Sequence, residues 1–255
     1  HSLGNRHIDP ALSLRSLWAV LETQRDDGFI AHMATPESVS KITQPPLLAW
    51  GFYQYYAATG DRGALEKAYG ALKAYLFWNR THRDRNCNFL YEWALSDSIH
   101  CRCDECGMDN SPRFDAACTM DAIDFSCYMA NETRTMAKIA EIIGLAEQAD
   151  MWRKWFAAIS QAINRFLWDE QDGLYYDHLT DTGQLYKVKA VSSFLPLFAG
   201  VCSPQQASRL VLALQDPRQF GAAFGVPSVS ADDPTFGTDM WRGPVWINFN
   251  YMIIL

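Results

Sequence analysis

Apolar residues recur at helical spacing through most of this chain, and that recurrence limits it to a mainly helical architecture. Leu12, Leu14, Leu17, Trp18 and Leu21 line one face, and Leu65, Ala68, Leu72, Tyr75 and Leu76 another. Trp152, Trp155, Phe156, Ile159, Ile163 and Phe166 form a third. Start signals accompany these series. Asp9-Pro10 sets a capping acid before a proline at the first helical position, Asp61 caps a later segment, and Ser203-Pro204 repeats the pattern. Helices are expected near residues 9–24, from Thr43 to Gly60, from Asp61 onward, and over 115–143 as one long helix or a broken pair. Further helices are expected over 147–168, 190–198 and 203–214, and a last one opened by Gly243-Pro244. Between them the period changes. Residues 173–177 and 185–188, around Thr182-Gly183, read as a β-hairpin, and residues 86–92 as loop or short strand.

The polar loop over residues 105–115 lies between such segments. It gathers Glu105, Asp109 and Asp115 with Asn110, Ser111 and Arg113, and it carries Gly107 and Pro112, which break helices. A polar loop held by helices is a natural place for a site. The competing structural role is a helix cap by Asp109 or Asp115.

Charge and composition narrow the function. A net charge of −7 leaves no basic stripe for nucleic acid. No apolar run approaches the ~20 residues of a membrane span. About half of the 255 residues are apolar, enough for a sizeable core, and nine Trp are among them. Aromatic rings can cover the apolar face of a sugar while polar neighbours bond its hydroxyls. Seven Cys is an odd number, which speaks against a complete disulfide framework and for free thiols in a reducing compartment such as the cytoplasm. Cys101, Cys103 and Cys106, beside His100, could belong to a metal site, but no second ligand pair follows at metal spacing. No metal or cofactor is expected. The chain lacks an initiator Met, and its apolar final residues, 246–255, read as a cut within a longer protein.

Two longer motifs go further. Glu105-Cys106-Gly107-Met108-Asp109-Asn110-Ser111-Pro112 resembles the Glu-Ser-Gly-Met-Asp-Asn-Ser-Pro signature of glycoside hydrolase family 63 and its trehalase-like relatives. Trp241-Arg242-Gly243-Pro244-Val245-Trp246 is similar to that family's Trp-Arg-Gly-Pro-x-Trp motif. Thr43-Gln44-Pro45-Pro46 and Leu167-Trp168-Asp169, followed by residues 173–177, also fit and keep the family's order. Cys106 departs from the usual Ser, and Met240 stands where an aromatic often precedes Trp241. The closest flavour is that of mannosylglycerate and glucosylglycerate hydrolases.

The resemblance implies an all-α (α/α)6 toroid, incomplete at both ends, with small β-hairpins in its connecting loops. Residues 1–255 would form part of one catalytic domain that cleaves an α-glucoside or α-mannoside with inversion. Asp109 would be the general acid, with Asn110, Arg113 and the Gly107 backbone orienting it. Gln44, Asn110, Trp241, Arg242 and Trp246 would bind a small sugar or glycoside. The general base would be a Glu beyond residue 255, with Asp239 and Glu105 as in-chain candidates for the second carboxylate, and the isolated piece would be inactive. The alternative is a non-catalytic carbohydrate-binding toroid that keeps the Trp walls and Gln44 but lacks the paired carboxylate.

Overall fold

The structure, a computed structural model, describes residues 1–98, 102–116 and 118–255. These form two compact units, residues 1–85 with 128–158 and residues 86–127 with 159–255.

The first unit is helical. It contains α1 (Ser2–Asn5), α2 (Pro10–Leu21), α3 (Leu48–Thr59) and α4 (Arg62–Arg83), with residues 128–142 of α5 (Ile123–Ile142) and 146–158 of α6 (Ala146–Phe166). Two starts follow from the capping acids: Asp9 accepts the Leu12 N–H at 2.9 Å and Asp61 the Ala64 N–H at 3.1 Å. The apolar stripes meet in a core that buries Leu17, Leu21, Ala49, Phe52, Leu65, Leu72 and Leu76. Trp152 stacks on Trp155 with centroids 5.2 Å apart and donates its indole N–H to the Tyr69 hydroxyl at 2.9 Å.

Helix α3 begins at Leu48 rather than at Thr43. Pro45 and Pro46 supply no N–H, and each disfavours helix at the residue before it. The start is capped from elsewhere in the unit. Fully buried Glu132, on α5, accepts the N–H of Ala49 at 2.7 Å and of Trp50 at 2.8 Å.

The second unit carries the strands. β1 (Tyr91–Glu92), β2 (Met120–Ala122), β5 (Asp177–Leu179) and β6 (Leu185–Tyr186) form an antiparallel sheet in the order β1-β2-β5-β6. β3 (Trp168–Asp169) pairs with β4 (Leu174–Tyr175). Helices α7 (Leu195–Ala199), α8 (Pro204–Gln215) and α9 (Ile247–Ile254) complete it. The expected hairpin forms with His178 opposite Leu185, although residues 174–175 turn back onto β3 instead.

Of the long helix or broken pair expected over 115–143, only α5, from Ile123, is helical. Residues 120–122 are a strand, because β1 and β5 flank them, with Tyr91 opposite Ala122 and Asp121 opposite His178. The mainly helical class expected from the sequence is what the chain adopts, and its strands are short. Among the described residues, no helix is long and apolar enough to cross a membrane.

Candidate active site

Residues 102–115 form a chain of tight turns in the second unit. A 3-10 turn, Asp104–Cys106, ends at Gly107 in the left-handed region with φ 72°. The Met108 N–H donates to Cys106 Sγ at 3.2 Å, and the Ser111 N–H to the Met108 carbonyl at 2.9 Å. Cys106 thus uses its sulfur as a local acceptor where the resembled signature carries a hydroxyl. Asp109 is half-buried, and its carbonyl accepts the Cys103 N–H at 3.4 Å. A second 3-10 turn, Pro112–Phe114, closes the loop.

That second turn is anchored by Arg113, which is 1% exposed. Its guanidinium donates to Asp177 through Nε and Nη2, both at 2.7 Å. It donates to Asp124 through Nη1 at 2.8 Å and Nη2 at 2.9 Å. Both carboxylates are themselves buried and otherwise bonded. Asp124 accepts the Trp93 indole N–H at 2.9 Å and the Phe125 N–H at 2.8 Å; Asp177 accepts the Ile123 N–H at 2.9 Å. Burial alone would raise the Asp124 pKa, but the adjoining guanidinium and these N–H donors hold it below the ordinary carboxylate value. The sequence singled out Arg113 but paired it with none of Asp124 on α5, Asp177 on β5 and the cluster's Trp93, just after β1.

Asn110 ties this loop to the segment carrying the tryptophans. Its Nδ2 donates to Asp239 at 2.9 Å, and its Oδ1 accepts the Trp241 backbone N–H at 2.9 Å. Trp241 and Trp246 stack on each other with centroids 4.1 Å apart and planes 7° apart. The edge of Phe249 closes on Trp241 at 5.4 Å, which leaves Trp241 3% exposed. Trp246 remains half-buried, its indole N–H donated to the Met240 carbonyl at 2.9 Å. Arg242 is paired with Asp115.

The two other candidate carboxylates differ in setting. Glu105 is fully buried and accepts the Ala94 N–H at 2.7 Å. Asp239 is exposed and bonded to Asn110. Gln44 belongs to the first unit, where its Nε2 lies 3.5 Å from the Ala31 carbonyl, and it lines a cavity of about 450 Å³ with Trp50, Tyr75 and Leu17. Cys101 and His100 lie outside the described residues. Cys103 and Cys106 are buried thiols, and burial pushes the Cys103 thiol well up. Among the described residues, no group of three or more His, Cys, Asp or Glu is arranged to hold a metal ion.

The whole chain, residues 1–255, matches the model of the mannosylglycerate hydrolase MGH1-like glycoside hydrolase domain. Mannosylglycerate hydrolase MGH1 of Selaginella moellendorffii is 24% identical over 330 residues, a match that takes in 99% of this chain and 66% of that protein. The mannosylglycerate hydrolase of Thermus thermophilus is 41% identical over 90 residues, 34% of this chain and 21% of the relative. An uncharacterized protein of Borreliella burgdorferi is 26% identical over 211 residues, 82% of this chain and 42% of its own length. The chain therefore spans two thirds or less of these relatives. Among solved structures, the family 63 mannosylglycerate hydrolase of Thermus thermophilus in complex with glucose superposes with a TM-score of 0.87 at 24% identity, over 99% of this chain and 76% of that one. At that identity the likeness shows a shared fold.

Proposed function

From a chain that belongs to the mannosylglycerate hydrolase MGH1-like glycoside hydrolase family, we propose an enzyme that hydrolyses an α-glycosidic bond of a mannoside or glucoside with inversion. Mannosylglycerate is the substrate favoured by the names of its relatives, and glucosylglycerate stands beside it on the motif resemblance alone. Asp109 is the general acid. It delivers its proton to the leaving oxygen as the bond from that oxygen to the anomeric carbon breaks. A water on the opposite face of the ring forms the new bond and gives its proton to a second carboxylate.

The observation that carries this assignment is the Asn110 bridge. The residue next to Asp109 holds the backbone of Trp241, so the acid loop and the stacked indoles are one connected piece. Trp246 is the better sugar platform, because Trp241 has one face against Trp246 and an edge contact with Phe249. Arg242 is assigned to sugar or aglycone hydroxyls and charge by exchanging its Asp115 partner.

The water-activating carboxylate is kept outside residues 1–255, as the family resemblance implies. Glu105 spends its carboxylate on the Ala94 N–H away from solvent, and Asp239 is held by Asn110. On this assignment residues 1–255 are part of one catalytic domain and are inactive alone.

The test is Asp109→Asn in the complete gene product, with product anomers followed by NMR. The expected result is a loss of turnover of about 10²–10⁴-fold, the usual worth of a positioned acid, with sugar affinity little changed. The wild type should release the β-anomer first. Near-normal turnover by the variant would remove Asp109 as acid. Retained configuration would remove inversion. Sugar binding without any turnover by the wild type would favour a non-catalytic binder.

A further inference from the structure

Arg113, Asp124 and Asp177 form one buried, ion-paired cluster. Ion pairs removed from water recover little net stability, since desolvation offsets most of their attraction, and apolar residues of the same volume commonly do as well. What such a cluster provides is geometry. The guanidinium makes four hydrogen bonds between 2.7 and 2.9 Å, which fixes its plane against two carboxylates on two elements, α5 and β5. Trp93, Phe125 and Ile123 fix those carboxylates in turn.

Arg113 is close to Asp109 by more than sequence. Its Nη1 lies 3.5 Å from Sδ of Met108, the residue just before Asp109. Between the two, the backbone has little freedom. Ser111 bonds back to Met108 at 2.9 Å, Pro112 fixes its own φ, and Phe114 bonds back to Ser111 at 3.1 Å. On the other side, the Cys103 N–H holds the Asp109 carbonyl. An anchor at residue 113 therefore sets where residue 109 stands.

We propose that Arg113, clamped between Asp124 and Asp177, is the positioning residue of the site and acts on the reaction through the placement of Asp109. This rests on Asp109 being the general acid. Lys could not substitute: an ammonium is a single point with three donors, and it cannot span two carboxylates in the plane that the guanidinium occupies. Misplacement of an acid by a fraction of its hydrogen-bond length harms proton delivery selectively and leaves sugar binding largely intact.

Leaving-group dependence separates this role from general loss of structure. A methyl glycoside needs its leaving oxygen protonated, whereas fluoride departs with little help. The complete gene product and its Arg113→Lys variant are assayed on methyl α-mannoside or α-glucoside, and on the α-glycosyl fluoride of the same sugar. The expected result is a kcat loss of roughly 30-fold or more on the methyl glycoside against roughly threefold or less on the fluoride, with KM nearly constant. In an Asp109→Asn background the same substitution should add almost nothing.

Equal losses on both substrates, or none, would overturn the proposal. Should Arg113→Lys fail to fold, Asp177→Asn, which keeps the shape and one acceptor for Ile123, is read in the same way. If that variant also fails to fold, the cluster is an element of stability and the proposal falls. Asp109→Asn is the control. If it hydrolyses the methyl glycoside normally, the acid assignment is wrong and both readings go. If it shows the leaving-group signature and Arg113→Lys does not, only the positioning role is lost.

Discussion

The side chain of Asn110 accepts the backbone N–H of Trp241 at 2.9 Å while its own amide donates to Asp239 at 2.9 Å. One neutral side chain thus links the loop that carries Asp109 to the indole pair, across 131 residues of sequence. Asn110→Ala removes both bonds and leaves a part-buried N–H without its acceptor. The expected cost is about 1–2 kcal/mol, read as a weaker affinity for mannose or glucose in isothermal titration. Asn110→Asp should be worse, since it sets a second carboxylate against Asp239. Sugar affinity equal to wild type in both variants would show that the bridge does not shape the sugar site.

The stacked indoles should separate by substitution. Trp241 is 3% exposed and packed against Trp246 and Phe249, so Trp241→Ala opens a cavity and should lower stability by about 3–5 kcal/mol. Trp246→Ala removes a half-buried ring and should mainly weaken sugar binding, with a smaller change in melting temperature. The two are compared by thermal unfolding and by titration with the same sugar. The reverse pattern would reassign the platform to Trp241.

Much of this arrangement was legible in the chain, and the remainder was hidden for physical reasons. Helix starts at Asp9 and Asp61 are local events, in which a side chain meets an N–H three residues on, so the sequence carries them whole. The strand at residues 120–122 depends on partners near Tyr91 and His178, and a local window reads the same residues as the front of a helix. The start of α3 depends on Glu132, more than eighty residues away. In the site, the motifs named Asp109, Asn110, Trp241 and Trp246. They could not show that the two indoles face each other, nor that Arg113 would find Asp124 and Asp177, because each pairing is settled by folding and not by spacing.

Gly243 has a steric reason to be glycine within the Trp-Arg-Gly-Pro motif. Its φ is 136°, and a Cβ there would overlap the Gly237 carbonyl oxygen, in the turn where the Gly237 N–H bonds to the Arg242 carbonyl. Its own N–H donates to Ser228 Oγ at 2.8 Å. Gly243→Ala must open this turn and shift Trp241 and Trp246. The expected outcome is a folded but less stable protein, lower by about 2 kcal/mol or more, with impaired sugar binding. A variant with wild-type melting temperature and wild-type affinity would contradict the close approach.

Glu132 makes stability depend on pH in a direction opposite to most carboxylates. Burial raises its pKa from 4.5 to about 8, although the N–H groups of Trp50 and Ala49 pull it down. The folded state therefore holds a proton that the unfolded chain releases above about 4.5. This group's contribution is complete below that pH and is lost as the pH rises through about 8. Between the two values, one bound proton gives a slope of up to about 1.4 kcal/mol per pH unit. Glu132→Gln, which does not titrate, should be less stable than wild type at pH 5, since the amide sets an NH2 donor against one of the two N–H groups where the protonated carboxyl sets a hydroxyl oxygen. The gap should shrink or reverse by pH 8. Urea unfolding of both proteins at pH 5, 6.5 and 8 measures it, and parallel stability curves would mean that the carboxyl keeps an ordinary pKa, held as a carboxylate by the two N–H groups of α3.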